Sequence, residues 1–189
     1  MTHAATELDD AQIAAIGRRI DRPLVLVGLM GVGKSTVGRK LAALLQRDFV
    51  DADDAIEDAA QLSISEIFEQ FGEEYFRDGE RRVIARLVEE RHGVIATGGG
   101  AFCNSETRQL ILDTAIAVWL DCDIDTLVER TSRKDTRPLL KSGDPREILS
   151  RLRNEREQYY SQAPVRVVTG DGPHTETAMR ILEAVDQWL

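Results

Sequence analysis

The segment Gly28-Leu29-Met30-Gly31-Val32-Gly33-Lys34-Ser35-Thr36 fits the spacing G-x-x-x-x-G-K-[ST]. It directly follows the apolar run Leu24–Val27 and opens a helical pattern. Glycines let the backbone curl so that successive N–H groups point at phosphate oxygens. A helix beginning near Lys34 adds its N-terminal dipole. Lys34 is placed to reach β- and γ-phosphates, and the Ser35 hydroxyl to ligate Mg²⁺. Gly31, Val32, Gly33, Lys34, Ser35 and Thr36 are therefore expected to hold ATP or GTP. The motif does not fix the reaction, because P-loops serve kinases, switches and motors alike.

Further residues could form an acceptor side. Asp51-Ala52-Asp53 ends the second apolar run, where open α/β sheets bind ligands. One carboxylate could serve the Mg²⁺ shell and the other a substrate hydroxyl; alternatively, Asp53-Asp54 caps a helix. Arg77 and Glu80 have the i, i+3 spacing of a surface ion pair. Gly98, Gly99 and Gly100 follow another apolar run, and three glycines there suit a ligand that approaches the main chain closely. Arg156 lies in a helical pattern beside Arg151 and Arg153, which also reads as a basic helix face. Arg130 suits a helix C-terminus, or stacking of its guanidinium on a base. The stretch 131–144 is rich in charge and turn formers and carries Arg137. It reads either as a solvated loop or as a cationic lid.

These residues need a framework. Short apolar runs at Leu24–Val27, Phe49-Val50, Val94–Ala96, Ala115–Leu120 and Val165–Val168 read as strands buried on both faces. Helical patterns lie between and after them at about 34–46, 52–60, 64–91, 105–113, 123–132, 144–161 and 174–188. That alternation predicts an α/β layered domain with a mostly parallel sheet. A further helix is expected from Asp9, with Asp9 or Asp10 as N-cap and Ile13, Ile16 and Ile20 on one face. Asp21-Arg22-Pro23 ends it, making residues 1–22 an extension packed outside a domain at 23–189, with 1–8 frayed.

Composition bounds the function. The 189 residues suit one domain, and 42% hydrophobic with 30% charged residues is ordinary for a globular protein. Lys+Arg 24 against Asp+Glu 33 gives a net charge of −9, without the broad positive field of a nucleic-acid binder. Positive charge for an anionic ligand must then be concentrated in a site. Cys103 and Cys122, 19 positions apart, suggest neither zinc nor a disulfide and read as buried inert thiols. The N-terminus lacks the pattern of a signal peptide, and no apolar run approaches the roughly 20 residues of a membrane span, so a cytoplasmic protein without membrane partners is expected.

Taken together, the chain resembles the shikimate kinase family. Arg77, Glu80, Ile84 and then Val94-Ile95-Ala96-Thr97-Gly98-Gly99-Gly100-Ala101-Phe102 resemble that family's signature. The P-loop, the Asp-x-Asp after the second strand and Arg137-Pro138-Leu139-Leu140 extend the likeness over roughly 23–170. The resemblance implies a three-layer α/β/α P-loop kinase fold of the nucleoside-monophosphate-kinase type. It implies a five-stranded parallel sheet in the order 2-3-1-4-5, a substrate segment at about 52–82 and a lid at about 132–144. It implies ATP-dependent phosphorylation of the shikimate 3-hydroxyl, giving shikimate 3-phosphate and ADP, on the way to chorismate and aromatic amino acids. Asp53, Arg77, Gly99 and Arg156 would bind shikimate, with Gly98 and Gly100 beside them. Asp51 would approach Mg²⁺ through water, Arg137 would close over the transferring phosphate, and Arg130 would stack on adenine. Lys34, Asp53 and Arg137 would be the catalytic groups, in a monomer. Some members have an arginine near adenine after the last strand, where this chain has Thr169-Gly170-Asp171-Gly172. The chemistry agrees, since Arg77 and Arg156 can pair with a planar carboxylate in a fixed geometry. The competing readings are another small-molecule kinase, such as a gluconate kinase, and a non-catalytic nucleotide-dependent switch. The first would lack the Arg77-to-Phe102 pattern together with Arg156, and the second needs no acceptor pocket.

Overall fold

A computed structural model describes residues 7–133 and 143–189. Five strands, β1 (Leu24–Val27), β2 (Phe49–Asp51), β3 (Val94–Ala96), β4 (Ile116–Cys122) and β5 (Val165–Thr169), form one parallel sheet in the order β2-β3-β1-β4-β5. The register sets Leu26 opposite Ala96 on one side and Val118 on the other. All residues of β1, β3 and β4 are buried, so both faces of the central sheet are covered, as the unbroken apolar runs predict. β5 is an edge strand and alternates buried with exposed residues, which leaves Arg166 and Val168 in solvent.

The helices are α1 (Asp10–Arg19), α2 (Lys34–Leu44), α3 (Ala52–Ala60), α4 (Ile64–Glu89), α5 (Ser105–Thr114), α6 (Ile124–Ser132), α7 (Pro145–Tyr160) and α8 (His174–Trp188). Side-chain caps set the starts of all of them but α2 and α8. Asp9 and Ser63 each build a capping box, with Gln12 and Glu66. Asn104, Asp123 and Asp144 accept from backbone N–H groups at the starts of α5, α6 and α7. A 3₁₀ turn, Ala101–Cys103, links the glycine run to α5. No helix among the described residues is long and apolar enough to cross a membrane.

Besides β5 and the half-buried β2, two elements differ from the sequence expectation. The pattern over 64–91 predicts one helix, but Gly72 interrupts α4 with φ 84° and ψ 175°. A left-handed glycine ends one helix and lets the next start at a new angle. Arg77 and Glu80 sit on the second piece. The other difference is α1, whose Ile13 and Ile16, with Ile20 beyond its end, are each at most 5% exposed and belong to the main core. Arg47 also donates to the carbonyls of Gly17 and Ile20 at 2.8 Å each, so this end of the chain is tied to the loop after α2.

Candidate active site

The P-loop takes the backbone shape that its glycines allow. Gly28, Gly31 and Gly33 have φ 142°, 86° and 95°. A Cβ on Gly28 would sit 2.5 Å from the Leu120 carbonyl oxygen, so β4 presses directly on the start of the loop. Gly33 caps α2, and Lys34 and Ser35 form its first turn. The buried Lys34 donates from Nζ to the carbonyls of Gly28 at 2.7 Å and Leu29 at 2.9 Å, which curves its side chain back over the loop. Val32 is 1% exposed and contributes through its main chain, since its carbonyl accepts from Arg130 Nη1 at 3.2 Å. Arg130 Nη2 also binds the Gly170 carbonyl, at 2.5 Å. Arg130 thus clamps the P-loop to the loop between β5 and α8.

The helix-cap reading of the acidic pair holds with a change of residue. Asp51, not Asp53, caps α3: its Oδ1 accepts from the Asp53 N–H at 2.9 Å. Its Oδ2 accepts from the Ser35 hydroxyl. Asp53, in the first turn of α3, is half-buried and its pKa is raised to about 6. Burial is the larger cause and the Asp51 charge the second, while Lys34 opposes them.

The glycine run explains how the acceptor residues meet. Thr97, buried, donates from Oγ1 to the Leu26 carbonyl at 2.8 Å and fixes the end of β3 beside β1. A Cβ on Gly98 would lie 2.9 Å from Asp53 Oδ1. One on Gly99 would lie 3.1 Å from Arg156 Nη1, and one on Gly100 2.3 Å from Arg77 Nη2. Each glycine makes room for a different charged side chain. The close approach to the main chain that is expected of a ligand is made here by protein side chains.

Arg77 and Glu80 are not the solvated pair that their spacing suggests. Glu80 is 1% exposed and receives Arg77 Nη1 at 2.7 Å. The apolar face of α4 turns both inward, and the Arg77 guanidinium lies 5.1 Å from the Phe76 ring centre. Burial pushes the Glu80 carboxyl up, against the opposing charge of Arg77. One cysteine also departs from expectation: Cys122 is buried, but Cys103 is only half-buried. Burial raises both thiols, which keeps them protonated and inert.

A cleft of about 970 Å³ opens at the carboxyl ends of the strands. Gly31, Gly33, Lys34, Ser35, Thr36, Asp51, Asp53, Gly98, Gly99 and Arg130 line it. Gly100, Arg77 and Arg156 do not line it; the two arginines lie against Gly100 and Gly99. The segment 134–142, with Arg137 and most of the expected lid, lies outside the described residues.

Three participants escape a reading by motif. Asp171 and His174 also line the cleft, and the His174 ring packs against the P-loop at Gly33. A strand end followed by Gly-Asp-Gly and a helix start was the available signal. Tyr160 is the third. It is 2% exposed, and its hydroxyl donates to the Gly99 carbonyl. It lies one helical turn beyond Arg156 on α7, a spacing that puts the two on one face.

The family model described as shikimate kinase matches residues 30–186. The chain is 62% identical to a shikimate kinase of Novosphingobium aromaticivorans over the whole of both chains. It is 55% identical to one of Caulobacter vibrioides, covering 88% of this chain and 83% of that one. Among solved structures it is similar to shikimate kinase from Acinetobacter baumannii in complex with shikimate, with a TM-score of 0.83 and 36% identity over 88% of this chain and 93% of that chain.

Proposed function

The chain belongs to the shikimate kinase family, and from that premise we propose how its residues transfer the γ-phosphoryl group of ATP to the 3-hydroxyl of shikimate. The observation that carries the assignment of residues is the glycine run. It seats Asp53, Arg156 and Arg77 around one turn, next to the P-loop on the neighbouring strand.

The P-loop N–H groups and the α2 N-terminus receive the phosphates, and Lys34 moves its ammonium from the loop carbonyls onto them. Arg130 sits where a base would lie across its guanidinium, between the P-loop and the β5–α8 loop. Arg77 and Arg156 hold the shikimate carboxylate, and Glu80 aims Arg77. This leaves a ring hydroxyl for Asp53. The carboxyl of Asp53, at about 6, is largely ionised at neutral pH and close enough to it to accept the proton. The hydroxyl oxygen forms the new P–O bond, the bond to the β-phosphate oxygen breaks, and ADP leaves.

Ser35 and Asp51 fit Mg²⁺. A hydroxyl and a carboxylate already share a hydrogen bond there, and Mg²⁺ takes such oxygen donors together with water and phosphates. When bound, the ion would neutralise charge on the phosphates of ATP. Arg137 is assigned to the transferring phosphate by resemblance alone, and the same resemblance supports action as a cytoplasmic monomer.

A coupled assay for ADP release, with and without shikimate, tests the reading. Release that depends on shikimate is expected. Equal ADP release with and without shikimate overturns it.

A further inference from the structure

The glycine run creates a mechanical problem. Three residues without side chains give the charged groups their room, but they leave the turn little to hold it, and glycine keeps the most backbone freedom of any residue. The Gly98 and Gly100 carbonyls are taken by local N–H groups, from Ala101 at 3.3 Å and Cys103 at 3.1 Å. The Gly99 carbonyl instead receives the Tyr160 hydroxyl, from a residue 61 positions away in the chain.

We propose that Tyr160 is a positioning residue for the acceptor: by holding the Gly99 carbonyl it fixes the turn that seats Asp53, Arg77 and Arg156. This rests on reading those three as the shikimate residues. Tyr160 is well placed for the task. Its ring packs on Trp119 of β4 with centroids 6.0 Å apart, so the hydroxyl is delivered from a rigid part of the sheet. Its hydroxyl lies beside the Arg156 guanidinium and the Cys103 thiol. Arg156 precedes it by one turn on the same helix, and α7 packs on the 3₁₀ turn that continues the glycine run. One side chain thus joins α7, β4 and the turn at the point where Arg156 Nη1 approaches Gly99. Packing alone does not explain a phenol, since phenylalanine fills the same space without a buried hydroxyl to satisfy. Burial pushes the phenol well above its ordinary range, so it remains a donor at every working pH.

The test compares the full chain with Tyr160→Phe, Arg156→Lys and the double variant, with ATP and shikimate both varied and thermal melting recorded. Loss of one hydrogen bond predicts a rise in shikimate KM of about three- to tenfold for Tyr160→Phe. ATP KM should stay within about twofold, and the isosteric change should keep the fold. A purely structural role would instead raise both KM values or neither. The two substitutions share one route, so the double variant should show less than the product of their separate effects. Direct shikimate binding by calorimetry gives the same comparison if turnover is too slow to measure. If Arg156→Lys raises shikimate KM and Tyr160→Phe does not, the proposal fails while the site reading stands. Full multiplication in the double variant also overturns the proposal. If Arg156→Lys itself changes nothing, the site reading has failed first.

Discussion

Gly100→Ala is the sharpest probe of the acceptor site, because it adds one methyl group and removes nothing. Its Cβ would lie 2.3 Å from Arg77 Nη2, 2.8 Å from Cζ and 2.9 Å from Nη1. Non-bonded carbon and nitrogen approach to about 3.5 Å, so from 2.3 Å the guanidinium must retreat by about 1.2 Å. The backbone at Gly100 is no obstacle, with φ −95°. Arg77 has room at its flexible end, its side chain being 23% exposed, so the retreat is feasible. It strains the bond to buried Glu80, at a cost of at most about 1–3 kcal/mol in stability. Function should suffer more, since misplacement of a binding group by about 1 Å can cost about 10²-fold. Shikimate KM should therefore rise about tenfold to a hundredfold, with ATP KM unchanged, because the P-loop belongs to another strand. Gly99→Ala, with its nearest contact at 3.1 Å, should have the smallest effect of the three glycine substitutions. Gly98→Ala, at 2.9 Å from Asp53 Oδ1, should lower kcat rather than raise KM. Steady-state kinetics with both substrates varied decides the matter. A folded Gly100→Ala protein with shikimate KM within about twofold of wild type would refute the idea that this glycine seats Arg77.

Other expectations follow from single features. Lys34→Ala should fold and lose about 10²–10³ in turnover, the usual cost of one preorganised electrostatic group; near-wild-type kcat in the purified variant would contradict it. Ile16→Ala should cost about 2–5 kcal/mol in denaturant unfolding with both KM values unchanged, since Ile16 is 4% exposed and far from the cleft. His92 pairs with Asp48 and with Glu90, the latter at 2.9 Å. Burial works against its charge, but the two carboxylates outweigh burial and raise its pKa. The raised value makes this contribution full below the unfolded pKa of about 6.5 and lost as pH rises through the folded one. The melting difference between wild type and His92→Gln should thus shrink from pH 6 to pH 9, starting from at most about 1 kcal/mol for so exposed a pair; a difference independent of pH would exclude the pairing.

The strands were legible because covered parallel strands must be apolar on both faces, and Leu24–Val27 and Val94–Ala96 read that way without ambiguity. The P-loop was legible because its chemistry demands residue types at fixed spacing. The break at Gly72 was not, because helical periodicity continues on both sides and a single glycine leaves no mark in it. Glu80 was misjudged because i, i+3 spacing reports proximity and says nothing about depth. Val32 acts through its carbonyl and Tyr160 through its contact with a distant main chain, and neither role has a residue-type signature. Asp51 caps α3 with one oxygen and accepts from Ser35 with the other, and spacing alone names neither partner.

The strand order has a consequence for redesign. β1 stands at the centre, with β2 and β3 on one flank and β4 and β5 on the other. Asp53 and Arg77 come from chain between β2 and β3, while Arg130 and the β5–α8 loop belong to the opposite flank. Arg156 breaks this partition, because α7 connects β4 to β5 yet reaches across to Gly99. With Arg156 holding the acceptor as proposed, exchanging only the β2–β3 segment for that of a relative with another acceptor would leave this arginine in place. The proposed acceptor residues thus come from two separate stretches of chain, and on that proposal a chimera must take both to change the acceptor.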